Sequence, residues 1–235
     1  MEKLDIKIFA DGASIDDIKK IYAGDEVSGF TTNPTLMRKS GVKDYTFFAK
    51  EVLSVVKDLP VSFEVFADDL PEMERQALEI ASWGSNVNVK IPVMNTKRIS
   101  TGPVIKSLSE QGVSLNITAL MTVEQVKSVR KNISKDTPAI VSVFAGRIAD
   151  TGRDPVPIMT SCLDVLSDFP LAELLWASQR EVFNIYEASR IGCDIITVTP
   201  DMFKKLSLVQ KNLDDFSQET VQMFYDDAQA AGYKI

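Results

Sequence analysis

The chain has 235 residues, 45% hydrophobic and 25% charged, the balance of an ordinary globular protein with room for one large domain or two small ones. A net charge of −7 argues against nonspecific nucleic-acid binding, and no apolar run approaches the roughly 18 residues of a membrane-spanning helix. Histidine is absent, which excludes His-based triads, imidazole metal ligands and histidine proton shuttles and leaves acid–base work to carboxylates, Lys, Tyr or water. Cys162 and Cys193 form no metal-binding spacing and read as free thiols in a reducing compartment, which points to the cytoplasm.

Short apolar runs alternate with helical segments, as in βα units around a parallel sheet. The first run is Ile6 to Ala10, followed by Asp11-Gly12-Ala13; Ser14 with Asp17 then resembles a capping box opening a helix through Tyr22. A second strand, Val27 to Thr32, ends at Asn33-Pro34, where the proline suits the first turn of a short helix. A helix from Tyr45 to Lys57 carries Phe48, Val52, Val55 and Val56 on one stripe. Strand three is Val61 to Phe66, with helix from Asp69 to Ser82. Strand four is Val87 to Val93, followed by helix from Lys97 to Glu110 with Gly112 as its cap. Strand five, Val113 to Ile117, precedes a helix from Val123 to Asn132, and strand six, Ala139 to Phe144, a polar loop from Gly146 to Asp154. Helix from Val156 to Leu166, strand seven (Glu173 to Trp176) and helix from Glu181 to Ile191 follow. Strand eight is Ile195 to Val198, Pro200 opens a short turn, and a last helix covers about Phe216 to Ala230. Eight strands, each followed by helix, predict a closed (β/α)8 TIM barrel over residues 1–235 as a single domain, with an additional C-terminal helix at about 215–231. An open doubly wound sheet is the alternative, but the glycine-rich dinucleotide fingerprint is missing after strand one.

Within strand four, alternation puts Val87, Val89 and Ile91 on one face and Asn88 and Lys90 on the other. An unpaired buried ammonium costs several kcal/mol or more, so such a lysine is paired, deprotonated, or at a strand end reaching water. A deprotonated lysine is an amine nucleophile that forms Schiff bases with carbonyl compounds. The same alternation pairs Phe9 with Asp11, Thr31 with Asn33, Ser62 with Glu64, Asn116 with Thr118, and Ser142 with Phe144. In a barrel these positions converge at the C-terminal strand ends, where reaction sites lie. One amine, two carboxylates, and several amides and hydroxyls are the parts of a Schiff-base enzyme acting on a polyol.

Phe9-Ala10-Asp11-Gly12-Ala13, Thr31-Thr32-Asn33-Pro34-Thr35, Val89-Lys90-Ile91-Pro92, Asn116-Ile117-Thr118-Ala119 and Ser142-Val143-Phe144-Ala145-Gly146-Arg147-Ile148 follow one another along the chain. In these motifs the chain resembles the transaldolase family, in the short subfamily that includes fructose-6-phosphate aldolases. Ala177-Ser178-Gln179-Arg180 and Ala188-Ser189-Arg190-Ile191-Gly192-Cys193-Asp194 fit more loosely. The resemblance implies transfer of a dihydroxyacetone unit between sugar phosphates, in the pentose phosphate pathway, with neither metal nor organic cofactor. It makes Lys90 the Schiff-base lysine, Asp11 the acid/base at the C4 hydroxyl, Glu64 the carboxylate that works through a water, and Thr118 the holder of that water. Asn33, Asn116 and Ser142 would line the three-carbon unit, and Arg147, Ser178 and Arg180 the phosphate. Without the resemblance, either arginine could equally be a surface ion pair. The fructose-6-phosphate aldolases carry tyrosine and glutamine where Phe144 and Glu64 stand, so these two residues favour transfer over release of free dihydroxyacetone. Gln179 departs from the family's aromatic residue at the phosphate end. A barrel that only binds or assembles is the remaining reading. The expected partners are sugar phosphates and copies of the same chain (a pentamer or decamer), with no nucleic acid and no membrane. The apolar residues Phe216, Val221, Phe224 and Tyr225 of the last helix would pack either on their own barrel or on a neighbouring subunit.

Overall fold

The structure, a computed structural model, describes residues 4–12, 14–24 and 27–234; Ala13, at the end of the first motif, lies outside them. The first half comprises β1 (Lys7–Asp11), α1 (Ile15–Tyr22), β2 (Gly29–Thr31), α2 (Pro34–Lys39), α3 (Tyr45–Val55), β3 (Val61–Glu64), α4 (Leu70–Ala81), β4 (Val87–Pro92) and α5 (Gly102–Glu110). The second comprises β5 (Leu115–Leu120), α6 (Val123–Arg130), β6 (Ala139–Val143), α7 (Ala145–Ala149), α8 (Val156–Leu166), β7 (Ala172–Trp176), α9 (Phe183–Arg190), β8 (Ile195–Val198), α10 (Pro200–Lys205) and α11 (Leu213–Ala231). Each strand pairs in parallel with the next, and β8 pairs with β1, closing the (β/α)8 barrel that the alternating pattern predicts.

Two apolar layers hold it. Outward-facing strand residues such as Phe63, Val89, Ile91, Ile117 and Val141 are buried against the helices, each contributing roughly 1.5–3 kcal/mol. A smaller cluster of Phe9, Ile140, Leu175 and Ile195 plugs the barrel interior below the polar ring. Gly29 makes room for this plug, since a Cβ there would lie 2.6 Å from Phe9 Cζ. Helix starts are capped as their residue types dictate: Ser14 Oγ accepts from Asp17 N, Asp44 Oδ1 from Phe47 N, and Thr122 with Gln125 forms a complete capping box. Gly112 and Gly192 follow α5 and α9 in the left-handed region, at φ +78° and +77°.

Several elements differ from the sequence pattern. The helix expected from Lys97 starts only at Gly102, because Asn95 N donates to Ile99 O in a tight turn that carries Arg98 at φ +62°. The loop expected from Gly146 opens instead with the single-turn α7. β5 runs from Leu115 to Leu120 with a register irregularity between Ile117 and Leu120, where Ala119 turns to φ +64°. β6 stops at Val143 and β2 at Thr31, so Phe144 and Asn33 stand just beyond their strands. The last helix starts at Leu213, two to three residues earlier than expected, and buries no residue on its own barrel.

Candidate active site

The strand register gathers the polar residues. Asp11 lies beside Thr31, and Glu64, Lys90 and Asn116 form one row across β3, β4 and β5. In-register neighbours of a parallel sheet point to the same face, so the row faces the barrel interior. A cavity of about 440 Å³ opens at this end, lined among others by Asp11, Glu64, Lys90, Thr118, Arg147 and Arg180. That volume lies within the range of small-molecule sites.

Lys90 is 7% exposed, which answers whether the strand lysine reaches bulk water: it does not. Its Nζ donates to the Thr32 carbonyl at 2.9 Å and stands 3.6 Å from Glu64 Oε2. Burial raises the Glu64 carboxyl above its usual range; Lys90 draws it back by charge and hydrogen bonding, while Asp11 pushes it up. Asp11 is likewise raised by burial, against the charge of Lys90 and hydrogen bonds from Thr31 and Asn33. Thr31 Oγ1 donates to Asp11 Oδ1 at 2.9 Å, and Asn33 Nδ2 reaches both Asp11 oxygens at 3.3–3.4 Å. Asn33 also caps α2, its Oδ1 accepting from Leu36 N at 2.9 Å, so the helix start fixes the amide that meets Asp11.

Deeper in the barrel, Ser142 Oγ donates to Asn116 Oδ1 at 2.7 Å and Asn116 Nδ2 to Ser62 Oγ at 3.0 Å. This satisfied chain holds the Asn116 amide in place. Thr118 Oγ1 is buried at the cavity wall with no hydrogen-bond partner among the described residues, an acceptor and donor available to a bound molecule.

The far wall carries the cations. Arg147 lies over the Phe144 ring, its guanidinium carbon 5.2 Å from the centroid, and forms no ion pair among the described residues. Arg180 forks onto Asp150 through Nε and Nη2, so the surface-ion-pair reading holds for this arginine even as it lines the cavity. The bond from Arg180 holds the Asp150 carboxyl below its usual range. Ser178 lines the cavity at φ +60°. Gln179 is buried, and the amide orientation that satisfies it donates to Thr197 O and accepts from Thr199 N at 2.9 Å, tying the end of β7 to β8. Among the described residues no group of three or more His, Cys, Asp and Glu side chains is placed to share a metal ion.

All eleven residues singled out in the sequence therefore line this cavity or, for Asn116, bond a residue that does. Asp150 and Tyr45 were not singled out. Asp150 looks like any exposed acid, and Tyr45, whose hydroxyl meets the Glu64 backbone, looks like a helix-start aromatic.

Comparison with known proteins follows the same lines. A protein named "Probable transaldolase" from Leptospira biflexa is 32% identical over 202 residues, covering 86% of this chain and 90% of that protein. Another "Probable transaldolase", from Thermoanaerobacter sp., is 30% identical over 231 residues, 98% of this chain and 100% of the relative. Among solved structures, dihydrodipicolinate synthase from Rhodopseudomonas palustris superposes with a TM-score of 0.58 at 15% identity, over 95% of this chain and 79% of that one, a likeness of fold alone. The Transaldolase/Fructose-6-phosphate aldolase family model matches residues 8–235, and the chain belongs to that family.

Proposed function

We propose that the protein is a transaldolase that moves a dihydroxyacetone unit from a ketose phosphate, fructose 6-phosphate or sedoheptulose 7-phosphate, to an aldose phosphate through a Schiff base on Lys90. The observation that carries this reading is the buried Lys90 amine, 3.6 Å from the Glu64 carboxylate in a cavity shared with Asp11. Lys90 passes a proton through a water to Glu64, a carboxylate that burial makes a better base, and its amine adds to the ketone carbon. Loss of water leaves a protonated imine. Asp11 then takes the C4 hydroxyl proton, the C3–C4 bond breaks, and its electron pair passes into the imine to give an enamine. The departing aldose phosphate leaves, the acceptor aldehyde enters, and the steps reverse with Asp11 returning its proton. Water guided by Glu64 and Thr118 finally hydrolyses the imine. Asn33, Asn116 and Ser142 hold the hydroxyls of the three-carbon unit, with Phe144 closing the wall beside them. Arg147, Ser178 and Arg180 receive the phosphate; a guanidinium fork suits that dianion, and Arg180 must share or exchange Asp150 for it.

The same reading makes residues 1–235 one barrel unit, places it in the pentose phosphate pathway, and fits a reducing cytoplasm, where the buried thiols of Cys162 and Cys193 stay free. It also makes the protein a homo-oligomer, since α11 presents Val221, Phe224 and Tyr225 at 60–64% exposure. Glu64 and Phe144 favour transfer; release of free dihydroxyacetone, as a fructose-6-phosphate aldolase, is the second reading because the family contains both activities. The test is a coupled assay with fructose 6-phosphate, with and without erythrose 4-phosphate. Turnover that needs the acceptor supports the transferase, and turnover only without it supports the aldolase. A wild-type chain that gives no borohydride-trapped adduct at Lys90 would instead be a binding barrel.

A further inference from the structure

The Glu64–Lys90 pair sits where the ladder between β2 and β3 is interrupted. Phe30 N donates to Pro60 O and Thr32 N to Ser62 O, the two-residue step of a parallel pair. One further step would give the Glu64 N–H to the Thr32 carbonyl and the Glu64 carbonyl to the N–H of residue 34. Residue 34 is proline and has no N–H. The Thr32 carbonyl is turned to Lys90 Nζ at 2.9 Å. Both Glu64 backbone groups meet a single side chain instead: the Tyr45 hydroxyl accepts from Glu64 N at 2.7 Å and donates to Glu64 O at 3.0 Å. One oxygen from α3 thus stands where a strand edge would have been.

We propose that Tyr45 is a positioning residue for imine formation: by satisfying both backbone groups of Glu64, it leaves the Thr32 carbonyl to hold Lys90 Nζ and keeps Glu64 at that amine. The inference rests on the reading of Lys90 as the Schiff-base lysine. Tyr45 is well placed for this work. Its ring is wedged among Phe63, Phe66 and Trp83, at centroid distances of 6.2, 4.6 and 5.6 Å. Burial raises its phenol, so the hydroxyl keeps the proton it donates to Glu64 O. Without the hydroxyl, the unpaired Glu64 N–H competes with Lys90 for the Thr32 carbonyl, because a buried amide does not stay unsatisfied cheaply.

The experiment is Tyr45→Phe, which keeps the ring contacts, beside Trp83→Phe, which disturbs the same aromatic cluster and leaves the hydroxyl. Borohydride trapping at Lys90 with fructose 6-phosphate, kcat, KM and the pH profile of kcat are measured on each folded variant. Tyr45→Phe is expected to slow trapping and kcat about tenfold, the loss of roughly one hydrogen bond, with KM near wild type and the acid limb of the pH profile displaced. Trp83→Phe is expected to lower the melting temperature and trap at the wild-type rate. Trapping by Tyr45→Phe as fast as wild type, or an equal slowing in both variants, overturns the inference. A wild-type chain that does not trap at all overturns the Schiff-base reading instead.

Discussion

Asp11 and Glu64 are both driven toward the protonated form by burial, and Lys90 pulls both back. Charge is kept inside the barrel here at a cost to stability, as a site that moves protons requires. The cost has a definite sign for Asp11. Its folded value is raised above the unfolded 3.8, so the folded chain binds this proton more tightly than the unfolded one. The stability this contributes is complete below pH 3.8 and is lost as pH rises from there through the folded value. Asp11→Asn removes that loss. We expect the variant to melt higher than wild type at pH 7, with the gap closing as pH falls toward 3.8, while kcat drops about a hundredfold or more. Equal melting temperatures at pH 7 would mean that Thr31, Asn33 and Lys90 compensate the buried carboxylate fully.

The proposed phosphate end depends on elements rather than on single side chains. α7 begins directly after β6, and Gly146 N donates to Ala177 O at 3.2 Å, docking the helix on the end of β7. A Cβ on Gly146 would lie 1.5 Å from Ser178 O, a backbone atom that cannot swing aside. Gly146→Ala must therefore push the Ser178 segment away from α7, at a cost of about 1–3 kcal/mol in urea unfolding. The same shift separates Arg147 from Ser178 and Arg180, so KM for the acceptor erythrose 4-phosphate is expected to rise more than KM for erythrose, which has no phosphate. An unchanged ratio of the two would detach this contact from phosphate binding. The glycine itself is visible in the sequence, but the close approach that demands it is between segments some thirty residues apart and is not.

At the scale of the whole molecule, the barrel is closed and its helices are seated, except α11. No helix among the described residues is long and apolar enough to cross a membrane. Val221, Phe224 and Tyr225 of α11 are 60–64% exposed, the face that the proposed homo-oligomer would cover. Phe224→Asp places a charge in the middle of that face. The full-length variant is expected to sediment as a smaller species than wild type while still trapping substrate at Lys90, since α11 does not line the cavity. A monomeric wild-type chain would remove the oligomer from the proposal.

The order of the strands and of the helices other than α7, the inward positions of Lys90, Glu64 and Asn116, the caps at Ser14 and Gly112, and Pro34 in the first turn of α2 were all legible in the sequence. Strand alternation and capping are local rules that depend on residues two to four apart. Boundaries read less well where long-range contacts override local preference, as at the Asn95–Ile99 turn before α5 and the Ala119 irregularity in β5. Only the tertiary structure decided how the inward residues meet. The bond from Lys90 to Thr32 spans 58 positions and that between Tyr45 and Glu64 spans 19. Such pairings follow from barrel closure and inter-strand register, which bring distant segments together and which no local pattern encodes.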